Sequence, residues 1–233
     1  MVLKAMNPII CALDTQDIDQ AVSLAKKLKS TVSMFKLGLE FFVANSISGV
    51  QRIMDLGIPI FLDLKLYDIP NTIAKTVEVI KSMNIAMLTL HLSGGAKMLK
   101  SALDAVSGSG INLVGVTVLT SMDNNDLLEV GINKTAKEQV AILAKIAKEV
   151  NLYGIVCSAW EIAEVRKICG NSIKIITPGI RLKSSTDDQK RTVTPKEAIE
   201  LGADYIVIGR PITESCDPKH TVELILDSLQ RKT

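Results

Sequence analysis

The sequence predicts a (β/α)8 barrel in a single α/β domain, and three observations predict it. Short apolar runs rich in Val, Ile and Leu alternate with helical patterns eight times along the chain. Each strand–helix unit is about 25–30 residues, and the 233-residue length is close to the ~250 typical of such barrels. The strand runs are apolar on both faces, as parallel strands covered by helices are. A doubly wound open sheet is the alternative, but it needs a switch point and typically fewer strands.

Taken in order, Ile9–Leu13 reads as a strand and Ile18–Leu28 as a helix whose apolar side carries Ile18, Ala21, Val22, Leu24, Ala25 and Leu28. Met34–Leu37 is a strand, followed by helical patterning over Ser48–Leu56. Pro59–Leu64 is a strand after the Gly57 turn, and Ile69–Ser82 a helix. Met87–Leu92 is a strand and Ala96–Val106 a helix. Asn112–Leu119 is a strand, and the capping box Thr135-Ala-Lys-Glu138 opens a helix to about Val150. Gly154–Val156 is a strand, and Ser158-Ala-Trp-Glu161 caps the next helix. Lys174–Ile176 is a strand, and Thr194-Pro-Lys-Glu197 caps a helix with Pro195 at its first position. Tyr205–Ile208 and Thr221–Gln230 are the last strand and helix.

Composition narrows the function classes. Hydrophobic residues make up 47% of the chain, enough for a large core, and 27 Lys and Arg nearly balance 25 Asp and Glu. That balance gives no reason to expect nucleic acid or an acidic membrane as partner. Cys11, Cys157, Cys169 and Cys216 are scattered without a CxxC motif and read as free thiols in a reducing compartment. Met1-Val-Leu-Lys-Ala5 is too short for a signal peptide, and no apolar run is long enough to span a bilayer, so a cytoplasmic protein is expected. With two histidines in the chain, a His-based metal site is not expected.

The stretch Phe61-Leu-Asp-Leu-Lys-Leu-Tyr-Asp-Ile-Pro-Asn-Thr72 concentrates the chemistry. It starts as a buried strand, then carries charge where a core strand has none. Asp63 and Lys65, two apart, are expected on one face, with Asp68 just past the strand end. Buried charge is costly unless paired, so this cluster is either a structural ion-pair network or a site. The other strand ends favour a site. Asp14, Lys36, His91, Thr120-Ser121, Cys157-Ser158, Pro178-Gly-Ile-Arg181 and Gly209-Arg210 stand at the C-terminal ends, where barrels place chemistry. Polar groups gathered at one mouth of an apolar barrel point to a small-molecule site. Gly209-Arg210 resembles a phosphate cradle, or else a turn plus a surface Arg. The polar segment 181–194 is long for a βα loop and is a candidate lid or a solvated loop.

Asp63-x-Lys65-x-x-Asp68-Ile-Pro-Asn-Thr72 resembles the signature of the orotidine 5′-phosphate decarboxylase family. Ala12-Leu-Asp14, Phe35-Lys-Leu-Gly38, Leu119-Thr-Ser121, Thr177-Pro-Gly-Ile-Arg181, Asp187-Asp-Gln189 and Ile208-Gly-Arg-Pro211 extend the resemblance in order along the whole chain. Tyr67 stands where relatives often carry His or Phe. The resemblance implies a dimer of barrels that converts orotidine 5′-monophosphate to UMP and CO2, with no metal and no organic cofactor. It implies that Lys65 is the proton donor, that Asp63 lies beside the substrate carboxylate, and that Asp14 and Lys36 hold the ribose hydroxyls. It places Asp68 and Thr72 in the neighbouring subunit's site. Thr120 and Ser121 would meet the ligand, Ser121 at the pyrimidine edge. Gln189, Gly209 and Arg210 would grip the phosphate, with Arg181 at the base of the lid. A related sugar-phosphate enzyme with the same Asp-x-Lys-x-x-Asp strand and a divalent metal is the first alternative, and a catalytically dead phosphate-binding barrel the second. The Asp-Ile-Pro-Asn-Thr continuation favours the decarboxylase over the first, and the intact Lys36, Asp63, Lys65 and Asp68 argue against the second.

Overall fold

The computed structural model describes residues 7–182 and 193–230. Eight parallel strands close into a barrel in sequence order. They are β1 (Ile9–Ala12), β2 (Met34–Gly38), β3 (Ile60–Leu66), β4 (Met87–His91), β5 (Asn112–Val116), β6 (Gly154–Val156), β7 (Lys174–Thr177) and β8 (Tyr205–Ile208). The helices are α1 (Ile18–Leu28), α2 (Leu39–Met54), α3 (Pro70–Lys81), α4 (Gly95–Val106), α5 (Asn124–Glu129), α6 (Ala136–Glu149), α7 (Ile162–Cys169), α8 (Pro195–Glu200), α9 (Arg210–Thr213) and α10 (Pro218–Gln230).

The apolar residues form two cores, because each strand shows alternate side chains to opposite faces. Ile10, Ala12, Met34, Phe61, Met87, Val114, Ile176, Tyr205 and Val207 fill the barrel interior. Residues between them, such as Ile9, Phe35, Leu62, Leu88, Ile155 and Ile206, face the helical shell. Opposite the mouth, Asp204 anchors the barrel floor. Its carboxylate takes the Ile175 N–H at 2.8 Å, the Lys174 ammonium at 2.9 Å and the Arg166 guanidinium. Burial works against that charge, but these donors outweigh it and hold the carboxyl below its ordinary range. Arg166 also binds the carbonyls of Gly170, Ile173 and Gly202, tying α7 to the starts of β7 and β8.

Several boundaries differ from the sequence reading. The helix expected over Ser48–Leu56 begins at Leu39, because two helical segments meet at a kink where Ser46 sits at φ 56° and ψ −163°. The periodicity is broken there, so only the second segment was legible. The strand expected to reach Leu119 stops at Val116. The Thr117 N–H and hydroxyl both bond the Val156 carbonyl, and β6 itself ends at Val156, so the ladder has no further partner. Thr120 and Ser121 therefore lie in a loop beyond the strand. α5 was not expected; its capping box is Asp123 with Asp126 rather than Thr with Glu. The final helix starts at Pro218, where Asp217 accepts from the His220 N–H at 3.0 Å. Ser158 caps a single 3-10 turn, Ala159–Glu161, before α7. The boxes at Thr135 and Thr194 stand as read. All four thiols are free.

Candidate active site

A cavity of about 340 Å³ opens at the C-terminal ends of the strands, a size suited to a small-molecule ligand. Ala12, Phe61, Val156, Ile176 and Val207 make its apolar floor. Asp14, Lys36, Asp63 and Lys65 line one side, Asp14 from just after β1 and the others from β2 and β3. Thr120 enters from the loop after β5, Pro178, Gly179 and Arg181 from after β7, and Gly209 and Arg210 from after β8. Since β8 pairs with β1, the basic end of the cavity adjoins the Asp14 end of the charge row.

The charge row is continuous. The Lys36 ammonium lies 3.0 Å from Asp14 Oδ1 and 3.6 Å from Asp63 Oδ2. The Lys65 ammonium lies 2.9 Å from the same Asp63 Oδ2. The Asp63 side chain is 12% exposed and Lys36 13%, so solvent screens the pairs less than at a free surface. Gly38 makes room for the row, because a Cβ there would come within 3.1 Å of Lys36 Nζ and 3.2 Å of Asp14 Oδ1.

Simple strand alternation does not bring Asp63 and Lys65 together. The β3–β4 register shifts between Leu62 and Leu66, and Lys65 adopts a left-handed φ of 50°. A fully buried hydroxyl, Thr89 on β4, accepts the Lys65 N–H at 2.8 Å and donates to Asp63 Oδ1 at 3.0 Å. Thr89 stands in the middle of β4, away from the strand ends where the other candidates lie. Its signal was a hydroxyl in the middle of the apolar run Met87-Leu-Thr-Leu-His91.

The remaining sequence candidates divide. Asp14, Lys36, Asp63, Lys65, Thr120, Arg181, Gly209 and Arg210 share the cavity. Ser121 is exposed and does not line it, and Asp68 and Thr72 are exposed outside it. Asp68 shares a separate surface hollow with Tyr67, Ile69, Pro70, Ser93 and Gly94, and its Oδ1 accepts the Ile69 N–H at 2.6 Å. His91 lines a neighbouring, mostly apolar hollow, with its ring 5.8 Å from that of Tyr67. Burial holds its pKa below the ordinary value; the Lys65 charge adds to this and Asp63 opposes it. Burial pushes the Cys11 thiol up to about 12, with Asp14 adding and Lys36 opposing, so it supplies no thiolate near neutral pH. Gln189 and the body of the candidate lid lie outside the described residues. Among the described residues, no helix is long and apolar enough to cross a membrane.

Residues 7–225 match the model of the family described as "Orotidine 5'-phosphate decarboxylase / HUMPS family". The chain is similar to the orotidine 5′-phosphate decarboxylase of Wolbachia pipientis subsp. Culex pipiens (strain wPip), at 63% identity over 96% of this chain and 99% of that one. It is 59% identical to the orotidine 5′-phosphate decarboxylase of Ehrlichia canis (strain Jake), over 96% and 98% of the two chains. Among solved structures it superposes on the orotidine 5′-phosphate decarboxylase of Lactobacillus acidophilus with a TM-score of 0.85 and 34% identity, covering 97% of this chain and all of that one.

Proposed function

The chain belongs to the orotidine 5′-phosphate decarboxylase / HUMPS family, and from that premise we propose that it converts orotidine 5′-monophosphate to UMP and CO2. This would be the step that supplies UMP in de novo pyrimidine synthesis. The enzyme is a carboxy-lyase like its curated relatives. The observation that carries the specific reading is the Asp14–Lys36–Asp63–Lys65 row along one side of a cavity that also holds Arg181 and Arg210. The lining carries four cationic and two anionic side chains, an excess of two positive charges. That excess suits a substrate with a phosphate and a carboxylate.

The chemistry follows from the charges. Breaking the bond from ring carbon 6 to the carboxylate leaves an electron pair on that carbon, where no adjacent carbonyl can take it up as a simple enolate. The site must stabilise the charge electrostatically and then deliver a proton. Lys65 does both: its ammonium attracts the developing carbanion and its proton ends on carbon 6. Asp63 holds that ammonium in place at 2.9 Å. Beside the substrate carboxylate, Asp63 is also repulsive until CO2 departs. Asp14 and Lys36 hold the ribose hydroxyls, and Thr120 and Ser121 meet the ligand, Ser121 at the pyrimidine edge. Gly209, Arg210 and Gln189 bind the phosphate, with Arg181 at the base of a lid over 181–194. Phosphate contacts remote from the reacting carbon then help to align it. No metal or organic cofactor takes part.

The same reading makes the chain one catalytic domain and a cytoplasmic homodimer. Asp68 and Thr72, exposed outside their own cavity, reach into the partner's. A partner over the mouth also excludes water from the charge row, which strengthens it. The test is Lys65→Ala. It should abolish turnover while the protein stays folded and still binds UMP. Turnover within about tenfold of wild type, a barrier change of only ~1.4 kcal/mol, would remove Lys65 from the proton-donor role.

A further inference from the structure

The β3–β4 ladder pairs Leu62 with Leu88 and then Leu66 with Leu90. Asp63, Leu64 and Lys65 therefore bulge opposite one residue, Thr89. Such a bulge re-aims side chains at the cost of backbone pairing. The Thr89 hydroxyl supplies what the ladder lacks. The Lys65 N–H can only donate, so the hydroxyl oxygen accepts it and the hydroxyl proton is left for Asp63 Oδ1. With Oδ1 tied to β4, Asp63 turns Oδ2 to both ammonium groups, 2.9 Å from Lys65 and 3.6 Å from Lys36. The same hydroxyl holds the Lys65 backbone at its φ of 50°, a conformation that costs free energy in a non-glycine residue and persists only where the surroundings enforce it. Thr89 is 0% exposed and does not line the cavity, so it cannot touch substrate.

We propose that Thr89 is a positioning residue for the reaction: its single hydroxyl sets both the backbone from which Lys65 reaches carbon 6 and the orientation of the Asp63 carboxylate. The inference rests on the decarboxylase reading above. Misplacing a reacting group by about 1 Å can cost on the order of a hundredfold in rate. Loss of Thr89 should therefore appear in kcat and spare the phosphate and ribose contacts that dominate binding.

The experiment compares Thr89→Val, which keeps the shape and removes both hydrogen bonds, with Thr89→Ser, which keeps the bonds. Folding is read by circular dichroism and thermal melting, ligand binding by UMP titration, and catalysis by kcat and KM with orotidine 5′-monophosphate. Thr89→Val should lose tenfold to a hundredfold in kcat, with KM and UMP affinity within about threefold, and Thr89→Ser should recover kcat to within about threefold of wild type. A purely structural Thr89 would lower the melting temperature and leave kcat per folded enzyme unchanged. A Thr89→Val kcat within threefold of wild type, or a Thr89→Ser no better than Thr89→Val, overturns the inference. Should Thr89→Val not fold, Thr89→Cys, a weak donor and acceptor of similar size, is expected between Ser and wild type on one side and inactivity on the other; full activity in it overturns the inference equally. A wild-type enzyme inert toward orotidine 5′-monophosphate overturns the functional reading first and this inference with it. An active wild type with an undiminished Thr89→Val overturns this inference alone.

Discussion

Mixing two inactive variants, Lys65→Ala and Asp68→Ala, should restore activity, and the amount is set by where the two residues sit. Lys65 lines the cavity of its own barrel. Asp68 is exposed outside it, in a surface hollow with Tyr67 and Ile69, which are 63% and 64% exposed. Apolar surface of that kind around a charged residue suits a subunit contact. If each site takes its ammonium from one subunit and its second carboxylate from the other, a mixed dimer holds one site with both defects and one with neither. Free exchange at equal concentrations gives about half mixed dimers, so about a quarter of all sites are complete. Each parent variant is expected below about 1% of wild type, a loss of ~2.7 kcal/mol or more in barrier terms. The mixture should therefore exceed either parent by at least about 25-fold. The assay follows turnover during subunit exchange, with native mass spectrometry on distinguishable tags to count mixed dimers. Activity that stays at the parent level although mixed dimers have formed would refute the shared site and return Asp68 to its own barrel. A protein that is monomeric at assay concentration would refute it sooner.

Two further outcomes test other parts of the account. Arg210→Ala and Gln189→Ala should each weaken UMP by a few kcal/mol at most while barely changing affinity for the free nucleoside; equal losses for both ligands, measured by titration calorimetry, would place the phosphate elsewhere. At the barrel floor, Asp204→Ala strands two partly buried cations and should cost about 3 kcal/mol at neutral pH, or roughly 6–12 °C in melting temperature. Because the folded-state carboxyl is held below its ordinary value of 3.8, the wild-type advantage is complete above that value and fades as pH falls through the depressed folded-state value. Denaturant titrations at neutral and strongly acid pH should show a gap that closes in acid, and a gap independent of pH would remove Asp204 as its source.

Most of the architecture was legible because a closed parallel barrel writes a simple pattern. Strands such as Ile9–Ala12 and Tyr205–Ile208 are buried on both faces, and Thr135 and Thr194 begin helices with side chains that satisfy the first free N–H groups. What failed to show was non-local or conformational. Nothing in the sequence marks Ser46 for φ 56°, so the first half of α2 went unseen. The end of β5 depends on β6 running out at Val156, a fact about the neighbour and not about residues 117–119. At the site, the charged side chains were legible because charge in an apolar strand demands a partner. Spacing suggested that Asp63 and Lys65 share a face, and they do meet, but through a bulge rather than through strand alternation. The residue that holds the bulge, Thr89, belongs to the next strand and carries no charge, and its one local mark, a hydroxyl in an apolar run, is shared by any buried core threonine. His91 ends its strand as read but faces Tyr67 in an adjoining hollow.

The central claim is that this charge row decarboxylates a nucleotide without a metal. The most direct measurement mixes the full-length protein with orotidine 5′-monophosphate in excess chelator and follows the orotate absorbance, with the product identified by chromatography. The account predicts that the absorbance disappears at the same rate with and without chelator, that UMP and CO2 appear in equal amounts, and that Lys65→Ala under the same conditions does not progress. Absorbance that falls only when a divalent cation is restored would contradict the metal-free claim, and absorbance that persists with and without the cation would favour the metal-dependent sugar-phosphate branch that shares the Asp63-x-Lys65-x-x-Asp68 strand.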